Sequence, residues 1–410
     1  MKLTQIRLLM GTMFTSGLLV TAPAMGQDVI RFATWDSDNN LAIQQEIAQL
    51  FEAQNPGVTV QVEPYADGYD QKLVAAFGAG SPPDVMYMWN FPEYHQFLTP
   101  LDDLIARDSD ELNMEDIPAG LMNTAQIQGV TYGMPSGFTT QVVFYNKDMF
   151  AQAGVEEPQP GWTWEDLAAK AAQFRDEDAK VYGFAVEARP DPYDFEQFLW
   201  SNGTRYISED GSEIDGFMNS PEAVEVLEMF AGLVRDEDAV LLGSGDMNSS
   251  GDLFRSGNIA MQVSAMWDKG GHDDAGINYG VIGLPSFGDK PPHSALGASA
   301  ISIASDAAHP DLAWEFVKFF SSPEAVALRT GDLPIRTSVA DDLSLTDDPI
   351  YRPFFEMLEM SDRETHAFLK HAEWSRIQDN LARAIEAIML EQGNAQQHLD
   401  EAVSRSQRFM

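Results

Sequence analysis

The sequence predicts an α/β fold in which a parallel sheet is covered by helices. Two observations predict it: short runs rich in β-branched residues alternate with longer runs of helical periodicity, and glycine and proline separate one run from the next. When strand, helix and strand follow each other, each connection crosses back over the sheet, so neighbouring strands lie parallel.

The elements near the N-terminus follow that order. They are predicted as a strand at 29–33, a helix with the apolar stripe Ile43, Ile47, Leu50 and Phe51, a strand at 58–62, a helix at 69–77 and a strand at 85–88. Asn55-Pro56-Gly57 ends the first helix, and Pro82-Pro83 precedes the last strand.

The same α/β pattern continues in the later part of the sequence. Thr163 and Asp166 have the spacing of an N-terminal cap, and Ser220-Pro221 predicts another helix start. Apolar stripes at 313–320 and 377–388 predict two further helices. A chain of 410 residues exceeds the roughly 250–300 residues at which one core stops growing, so two lobes are expected.

The first 26 residues have the features of an export signal. Lys2 and Arg7 give a positive start, residues 8–20 an apolar run, and Ala24-Met25-Gly26 a small-residue cleavage site before Gln27. The apolar run is shorter than the ~20 residues that span a bilayer, which favours cleavage over a membrane anchor. Because no cysteine is present to carry a lipid, a freely diffusing protein of a Gram-negative periplasm is expected.

The chain is strongly acidic and has no cysteine. Its 64 acidic and 25 basic residues give a formal net charge of −39, which becomes −41 once Lys2 and Arg7 are removed. This charge repels nucleic acid and anionic membranes and disfavours an anionic ligand. A solvated, salt-adapted surface explains the charge better than a polycation-binding role. Without cysteine, neither a disulfide framework nor a thiolate metal site can form.

Several short segments resemble landmarks of the extracellular solute-binding proteins of ABC importers, in the sugar-binding group. They occur in the family's order across nearly the whole mature chain, at 30–62, 83–85, 145–150, 162–164, 198–203, 278–285 and 333–336. Each segment alone is weak evidence, but the ordered set is specific.

The resemblance implies a two-lobed α/β fold, each lobe a mostly parallel sheet flanked by helices, with two or three crossing segments. These are expected near 135–143, 285–298 and 334–339. The N-lobe would comprise residues 27–138 plus 293–335, and the C-lobe residues 139–292 plus 336–410. The resemblance also implies a monomer that closes around a neutral sugar or oligosaccharide and delivers it to the transmembrane subunits of an ABC permease.

Tryptophan is the main chemical clue to the ligand. A pyranose ring has apolar C–H faces and a rim of hydroxyls, so its site needs flat aromatic walls and a few polar side chains. Trp35 and Trp89 end the first and third strands, and strand C-terminal ends open onto the ligand crevice of a parallel sheet. By the family's pattern, Tyr193, Trp267 and Trp374 face the ligand from the other lobe. The side chains expected to bind hydroxyls are Asp36, Asn39, Asn90 and Thr139.

Each of these residues also has a plainer interpretation. Asn39 fits a helix cap at least as well as a ligand contact, and Gly297 fits a close backbone approach at a crossing better than a phosphate grip. Tryptophans are usually well buried, and some lie within capped or striped helices. Those expected in the core are Trp162, Trp164, Trp200 and Trp314.

No catalytic residue, cofactor or metal site is predicted. The sequence lacks a Gly-Lys phosphate loop, a Gly-x-Ser-x-Gly elbow and a His-Glu-x-x-His run, and its seven histidines are scattered. Two alternatives stay open. A secreted glycoside hydrolase needs only two suitably placed carboxylates, and a polyamine-binding protein of the same fold would also use acidic and aromatic walls.

Overall fold

The computed structural model describes residues 28–410 apart from positions 67, 177, 244–248, 330 and 362–363. The predicted export signal at residues 1–26 lies outside the described residues. Within the described ranges, no helix combines the length and the apolarity that crossing a bilayer requires.

Twelve strands occur in the described part of the chain. In order they are β1 Asp28–Thr34, β2 Val58–Pro64, β3 Val85–Met88, β4 Gln126–Ile127, β5 Val130–Thr131, β6 Met134–Thr140, β7 Val142–Asn146, β8 Phe184–Glu187, β9 Ala239–Leu242, β10 Met261–Ser264, β11 Tyr279–Ile282 and β12 Leu296–Ile303. The three strands predicted near the N-terminus are confirmed as β1, β2 and β3.

Nineteen α-helices accompany the strands in the same ranges. They are α1 Asp38–Gln54, α2 Tyr69–Gly78, α3 Phe91–Tyr94, α4 Asp102–Arg107, α5 Ser109–Leu112, α6 Ala119–Asn123, α7 Lys147–Ala153, α8 Trp164–Ala171, α9 Pro192–Ser201, α10 Pro221–Arg235, α11 Ser250–Arg255, α12 Met266–Asp274, α13 Pro310–Phe320, α14 Pro323–Leu328, α15 Thr337–Asp342, α16 Arg352–Ser361, α17 Ala367–Lys370, α18 Trp374–Met389 and α19 Ala395–Ser406. Short 3₁₀ helices lie at His95–Phe97, Met114–Asp116 and Gln407–Phe409.

Local sequence determines where several helices begin. Thr163 and Asp166 form the predicted capping box of α8, in which each side chain accepts a hydrogen bond from the other residue's backbone N–H. Ser220 caps α10 by accepting from the backbone N–H of Ala223. Such caps stabilise a helix by about 1 kcal/mol. Asn39 lies inside α1 and does not cap it, because Ser37 occupies the N-cap position.

The first sheet has five strands in the order β2-β1-β3-β12-β6. β1 pairs in parallel with β2 and β3, whereas β12 runs antiparallel to β3 and β6. Phe32 of β1 meets Phe316 and Phe320 of α13 edge-on, with ring centroids 5.5 and 5.4 Å apart. These aromatic contacts pack α13 against the sheet.

The second sheet is centred on β7, which pairs antiparallel with β10 on one side and β11 on the other. β8 and β9 form a parallel pair, and a parallel bridge between Tyr182 and Ile259 links the start of β8 to the start of β10. β8, β9, β10 and β11 therefore run in one direction and β7 runs against them.

In each sheet one strand opposes the others, β12 in the first and β7 in the second, so the pairs on both sides of that strand are antiparallel. The prediction of parallel strands holds for the pairs β1-β2, β1-β3 and β8-β9. β12 follows β11 of the second sheet, and β7 follows β6 of the first. Successive strands of one sheet are parallel when a helical crossover connects them. β7 and β12 each follow a strand of the other sheet, so this rule does not apply to them.

Two passages between the sheets lie side by side. The first runs from Thr140, the end of β6, to Val142, the start of β7, and the second leads from β11 to β12. Gln141 between β6 and β7 donates its backbone N–H to Ser294 Oγ of the second passage at 2.6 Å. The two passages are therefore hydrogen-bonded to each other.

Candidate functional site

A cavity of about 660 Å³ lies between the two sheets, and we call it the main cavity. Trp35 and Asp36 line it just after β1, Trp267 lines it just after β10, and Thr139 of β6 lines it from beside the first passage. The volume falls within the range of roughly 300–1,000 Å³ that is usual for small-molecule sites. The structure therefore brings four of the nine predicted ligand-binding residues to one cavity.

Trp35 is held by an aromatic cluster. Its ring stacks on that of Tyr87, with 4.7 Å between centroids and 21° between planes, and it meets Tyr69 edge-on at 5.2 Å. The hydroxyl of Tyr69 donates to the backbone carbonyl of Tyr87 at 2.6 Å, which fixes the cluster to β3. Trp35 is half-buried and is placed as a rigid wall of the main cavity.

Arg329 supplies a fixed positive charge to the same cavity. Its Nε donates to the carbonyl of Ser136 at 2.9 Å and its Nη1 to the carbonyl of Phe320 at 2.7 Å. The Phe320 ring centroid lies 4.2 Å from the guanidinium carbon, an additional cation–π contact. Among the described residues Nη2 has no hydrogen-bond partner, so this atom is available to a ligand oxygen.

Two carboxylates share the field of Arg329. Asp36 accepts a hydrogen bond from Thr34 Oγ1 at 2.8 Å. Burial raises the pKa of Asp332 to about 6, the Arg329 charge opposing this rise and the Asp36 charge adding to it. Gly137 makes room for Asp332, because a Cβ there would lie 2.5 Å from Asp332 Oδ2. The main cavity therefore presents both donors and acceptors, the set that sugar hydroxyls need.

Trp267 comes from the second sheet and is 59% exposed. Thr139 Oγ1 accepts from the backbone N–H of Met266 at 3.1 Å, which fixes the start of α12 against β6. A Cβ on Gly297 would lie 3.2 Å from Thr139 Cγ2 and 3.7 Å from the Trp267 ring. Gly297 thus allows the predicted close approach at the crossing and lets the indole lie over β12.

Trp89 lines an adjoining cavity of about 520 Å³, together with Trp35, Thr139 and Trp267. It is 47% exposed, and of the eight tryptophans, all of which lie in the described ranges, Trp89 and Trp267 are the two exposed ones. Large apolar surface left exposed at a cavity marks a binding site more often than chance. Because the two cavities share four lining residues, Trp35, Thr139, Trp267 and Asp332, we treat them as one cleft.

Two predicted ligand contacts lie away from the cleft. Asn39 is exposed on α1, and its neighbour Asn40 lines the main cavity instead. Successive residues of a helix point about 100° apart, so one position decides which asparagine faces the cleft. Asn90 donates from Nδ2 to Glu93 Oε2 at 2.8 Å and does not line the cleft. Neither side chain lines the cleft in this structure.

Tyr193 and Trp374 do not line the cleft either. The Tyr193 ring stacks on His366 with 3.6 Å between centroids, and its hydroxyl donates to the carbonyl of Leu296 at 2.7 Å. Tyr193 therefore ties α9 to β12. Trp374 is 4% exposed, and its ring centroid lies 6.0 Å from that of Tyr206. Both rings therefore pack against other aromatic side chains of the protein.

The tryptophans assigned to the core are confirmed there. Each is at least 94% buried, and they are Trp162, Trp164, Trp200 and Trp314. Trp164, Trp200 and Trp314 lie inside α8, α9 and α13, where periodicity sets the buried face, whereas Trp162 lies just before the N-cap Thr163 of α8.

Sequence reasoning missed several residues of the cleft. They are Asn40, Gln44, Tyr87, Lys269, Asp273, Arg329, Asp332 and Tyr351. Arg329 and Asp332 lie in a polar stretch around Gly331, just before the family landmark at 333–336. Their position beside that landmark was the only sequence feature that could have indicated a role in the cleft. Lys269 and Asp273 form an ion pair at 2.7 Å along α12, so their charges largely cancel.

The chemistry of the cleft is that of recognition by rings and hydrogen bonds. In the described ranges, no three His, Asp or Glu side chains are grouped as metal ligands would be. What the cleft offers is two exposed indoles, one fixed guanidinium and several carboxylate and amide groups.

Residues 35–327 match the family model described as bacterial extracellular solute-binding protein, which is more than two thirds of the chain. The chain belongs to that family. A bacterial extracellular solute-binding protein captures a solute outside the cytoplasm, and the match begins at Trp35 and extends past the second passage into α14.

Individual members with named ligands are similar to this solute-binding protein. The maltotriose-binding protein of Pyrococcus abyssi is 26% identical over 81% of this chain and 70% of its own. The sn-glycerol-3-phosphate-binding periplasmic protein UgpB of Escherichia coli (strain K12) is 26% identical over 89% of this chain and 88% of its own. Among solved structures, the Listeria monocytogenes ABC substrate-binding protein in complex with cycloalternan has a TM-score of 0.78 at 24% identity, covering 93% of this chain and 99% of that one. The structural likeness shows the two-lobed fold.

Proposed function

We propose that this protein is the substrate-binding component of an ABC importer and that it captures a sugar or oligosaccharide between its two lobes. The observation that carries the proposal is the pair of exposed indoles, Trp89 from the first sheet and Trp267 from the second, on one polar cleft. Indole faces suit the apolar C–H faces of a pyranose, and the polar rim suits its hydroxyls.

The lobe boundaries belong to the same proposal. We assign the N-lobe to residues 27–138 plus 293–335 and the C-lobe to the remainder of the mature chain, with one adjustment. Arg336 and Ser338 bond to Asp116, which precedes β6, so α15 still belongs with the N-lobe. Because α16 contacts both β6 and β7, we propose that the third crossing lies after Asp342.

Binding would drive closure of the lobes. A ligand that touches Trp35 or Trp89 on one side and Trp267 on the other gains contacts only when the lobes are close. It shifts the balance between open and closed forms by its differential affinity for them. The transmembrane subunits of the permease then read the closed form.

Delivery without chemical change completes the proposal. We place the mature monomer in the periplasm after removal of residues 1–26, and we assign it no cofactor and no catalytic step. A glycoside hydrolase with the same cleft would release reducing ends from its sugar, whereas a carrier leaves the sugar intact.

A thermal-shift screen with mono- and oligosaccharides tests the function, because a ligand that binds the folded state raises the melting temperature by mass action. We expect at least one sugar to raise it in the wild type and to have a smaller effect in Trp267→Ala. Chromatography of the sugar after long incubation should recover it unaltered. Failure of every sugar, or release of reducing ends, would contradict the proposal.

A further inference from the structure

A second cavity, of about 420 Å³, lies on the second-sheet side of the cleft. It opens among β8, α9, β10 and α11, and Trp267 at the start of α12 lines it as well. Because Trp267 also lines the main cavity, the two spaces meet at this indole. We call the new space the second-lobe cavity.

The wall of the second-lobe cavity combines apolar side chains with unpaired acids. Three carboxylates, Glu187, Asp191 and Asp194, line it, and none of them forms an ion pair with a cation in the part of the chain that the structure describes. Arg189 nearby in sequence lies 3.7 Å from Glu386 instead. The apolar part of the wall comprises Phe184, Val186, Phe195, Phe198, Phe230 and Val263.

Asp194 is the most constrained of these acids. Gln141 Nε2 donates to its Oδ1 at 2.7 Å. Gln141 in turn accepts from Gln197, and Gln197 accepts from the backbone N–H of Ala295 at 3.0 Å. Burial, with the charges of Asp191 and Glu187, raises the pKa of Asp194 to about 7. The carboxyl is thus held in a fixed place by a buried amide chain, and it lacks a positive partner there.

Gln262 provides an independent sign of a missing ligand group. Its side chain is 2% exposed and lines the same cavity. Its Nε2 donates to Asp268 Oδ2 at 2.8 Å and to Ser250 Oγ at 3.2 Å, so the orientation of the amide is set. The other atom, Oε1, has no donor among the described residues. Leaving a buried acceptor unsatisfied costs about 1–3 kcal/mol, which a donor brought by the ligand would relieve.

Most of the spare hydrogen-bonding capacity at this cavity is therefore for accepting, and the Ser250 hydroxyl is a donor on the same wall. Asp191, Asp194 and Glu187 accept hydrogen bonds, and so does Oε1 of Gln262. A neutral hydroxyl can donate one hydrogen bond, whereas an ammonium group donates three and also supplies the positive charge. The phenyl rings of the wall are compatible with a cation at the same place.

We propose that the second-lobe cavity binds a protonated amino group of the ligand, so that the sugar held in the cleft is an amino sugar or another amine-bearing glycoside. The carbohydrate part of this inference rests on the proposed function, and the ammonium part rests on the acceptors of the second-lobe cavity. The same acceptors would recognise the ammonium of a free polyamine, which the test separates from a sugar.

The test compares D-glucosamine with D-glucose, in which a hydroxyl replaces the ammonium, and with spermidine as a sugar-free amine. Calorimetric affinities are measured at neutral pH for the wild type, Asp194→Asn and Trp267→Ala. Asp194→Asn keeps an acceptor for Gln141 and removes the charge. Asp342→Asn, on an exposed residue of α15, is the control for loss of one charge from an acidic chain.

The wild type should bind glucosamine about tenfold more tightly than glucose, the difference that one charge-assisted hydrogen bond supplies. Asp194→Asn should lose that preference, Asp342→Asn should keep it, and Trp267→Ala should weaken both sugars. Glucose bound as tightly as glucosamine would overturn the inference and leave the proposed function standing. Spermidine bound through Asp194 with neither sugar bound would instead overturn the carbohydrate assignment, and binding of none of the three would overturn the ammonium site.

Discussion

The two sides of the cleft differ in how their buried carboxylates are compensated. On the first-sheet side, Asp36 and Asp332 lie in the field of Arg329, and the pKa of Asp332 is raised to about 6. On the second-sheet side, Asp194 has acids for neighbours, and its pKa is raised to about 7. The first side carries its own counter-charge, whereas the second side is left with acceptors that a ligand must satisfy.

The aromatic walls differ in a related way. Trp35 of the first sheet is stacked on Tyr87 and is half-buried, so its position is set before any ligand arrives. Trp267 of the second sheet is 59% exposed. The Trp35 wall is therefore preformed, whereas the Trp267 wall becomes covered only when a ligand binds.

Removal of the open wall should have the largest effect. We expect Trp267→Ala to weaken binding of the sugar identified by the screen by roughly 2–3 kcal/mol, a loss typical of a central aromatic contact. Titration calorimetry measures it. Phe97→Ala is the matched control, because Phe97 is an exposed aromatic that does not line the cleft. Equal losses for the two variants would remove Trp267 from the site.

The pH dependence of stability should separate the two sides. The pKa of Asp194 in the folded state, about 7, exceeds its ordinary value of 3.8. Between these values the folded protein keeps a proton that the unfolded chain has released, so this group's contribution to stability falls as pH rises from about 4 to about 7. Asp194→Asn cannot ionise and should be more stable than the wild type by roughly 1–3 kcal/mol at pH 8, with little difference at pH 4.

Denaturant unfolding at the two pH values measures this effect, and Asp332→Asn is the comparison. Its gain at pH 8 should be smaller, because Arg329 partly compensates Asp332 and the raised pKa is about 6. If Asp332→Asn raised the free energy of unfolding at pH 8 more than Asp194→Asn does, the first-sheet side and not the second-sheet side would be the one that lacks a counter-charge.

The close contact between Gly137 and Asp332 allows a test of packing on the first-sheet side alone. Gly137→Ala should destabilise the fold by about 1–2 kcal/mol, because its Cβ would lie 2.5 Å from Asp332 Oδ2 and force that side chain to move. Gly78→Ala is the control, since a Cβ at that helical position meets nothing within 4 Å. Thermal unfolding of both variants should show a lower melting temperature for Gly137→Ala alone.

The smallest predicted effect distinguishes two neighbouring asparagines. Asn40→Ala should weaken sugar binding by about 1 kcal/mol, the value of one hydrogen bond, because Asn40 lines the main cavity. Asn39→Ala should leave the affinity unchanged, because Asn39 is exposed on α1 and does not line the cleft. The opposite ranking would mean that the face of α1 has been assigned wrongly.

Periodicity made the secondary structure largely predictable. The apolar stripes at 43–51, 313–320 and 377–388 correspond to α1, α13 and α18, and the short alternating run at 58–62 corresponds to β2. These features depend on residues near each other in sequence, where spacing alone decides which side chains share a face. The export signal remains a prediction.

Strand ends predicted two of the aromatic walls of the cleft, whereas Thr139 and Trp267 were predicted from the family resemblance. Trp35 and Trp89 follow β1 and β3, and both line the cleft as the parallel-sheet rule requires. Trp374 has the same residue type but lies against Tyr206 in the core, a contact across many residues that one sequence does not reveal. Arg329 and Asp332 were missed for the same reason, since their partners Ser136 and Gly137 are distant in the chain.

Small-angle scattering with and without a saturating sugar tests most directly whether the ligand bridges the two lobes. We expect the radius of gyration of the wild type to fall when the sugar that raises its melting temperature is added, and Trp267→Ala to show a smaller change at the same sugar concentration. An unchanged radius of gyration in wild-type protein that calorimetry shows to be saturated would contradict closure around a shared ligand.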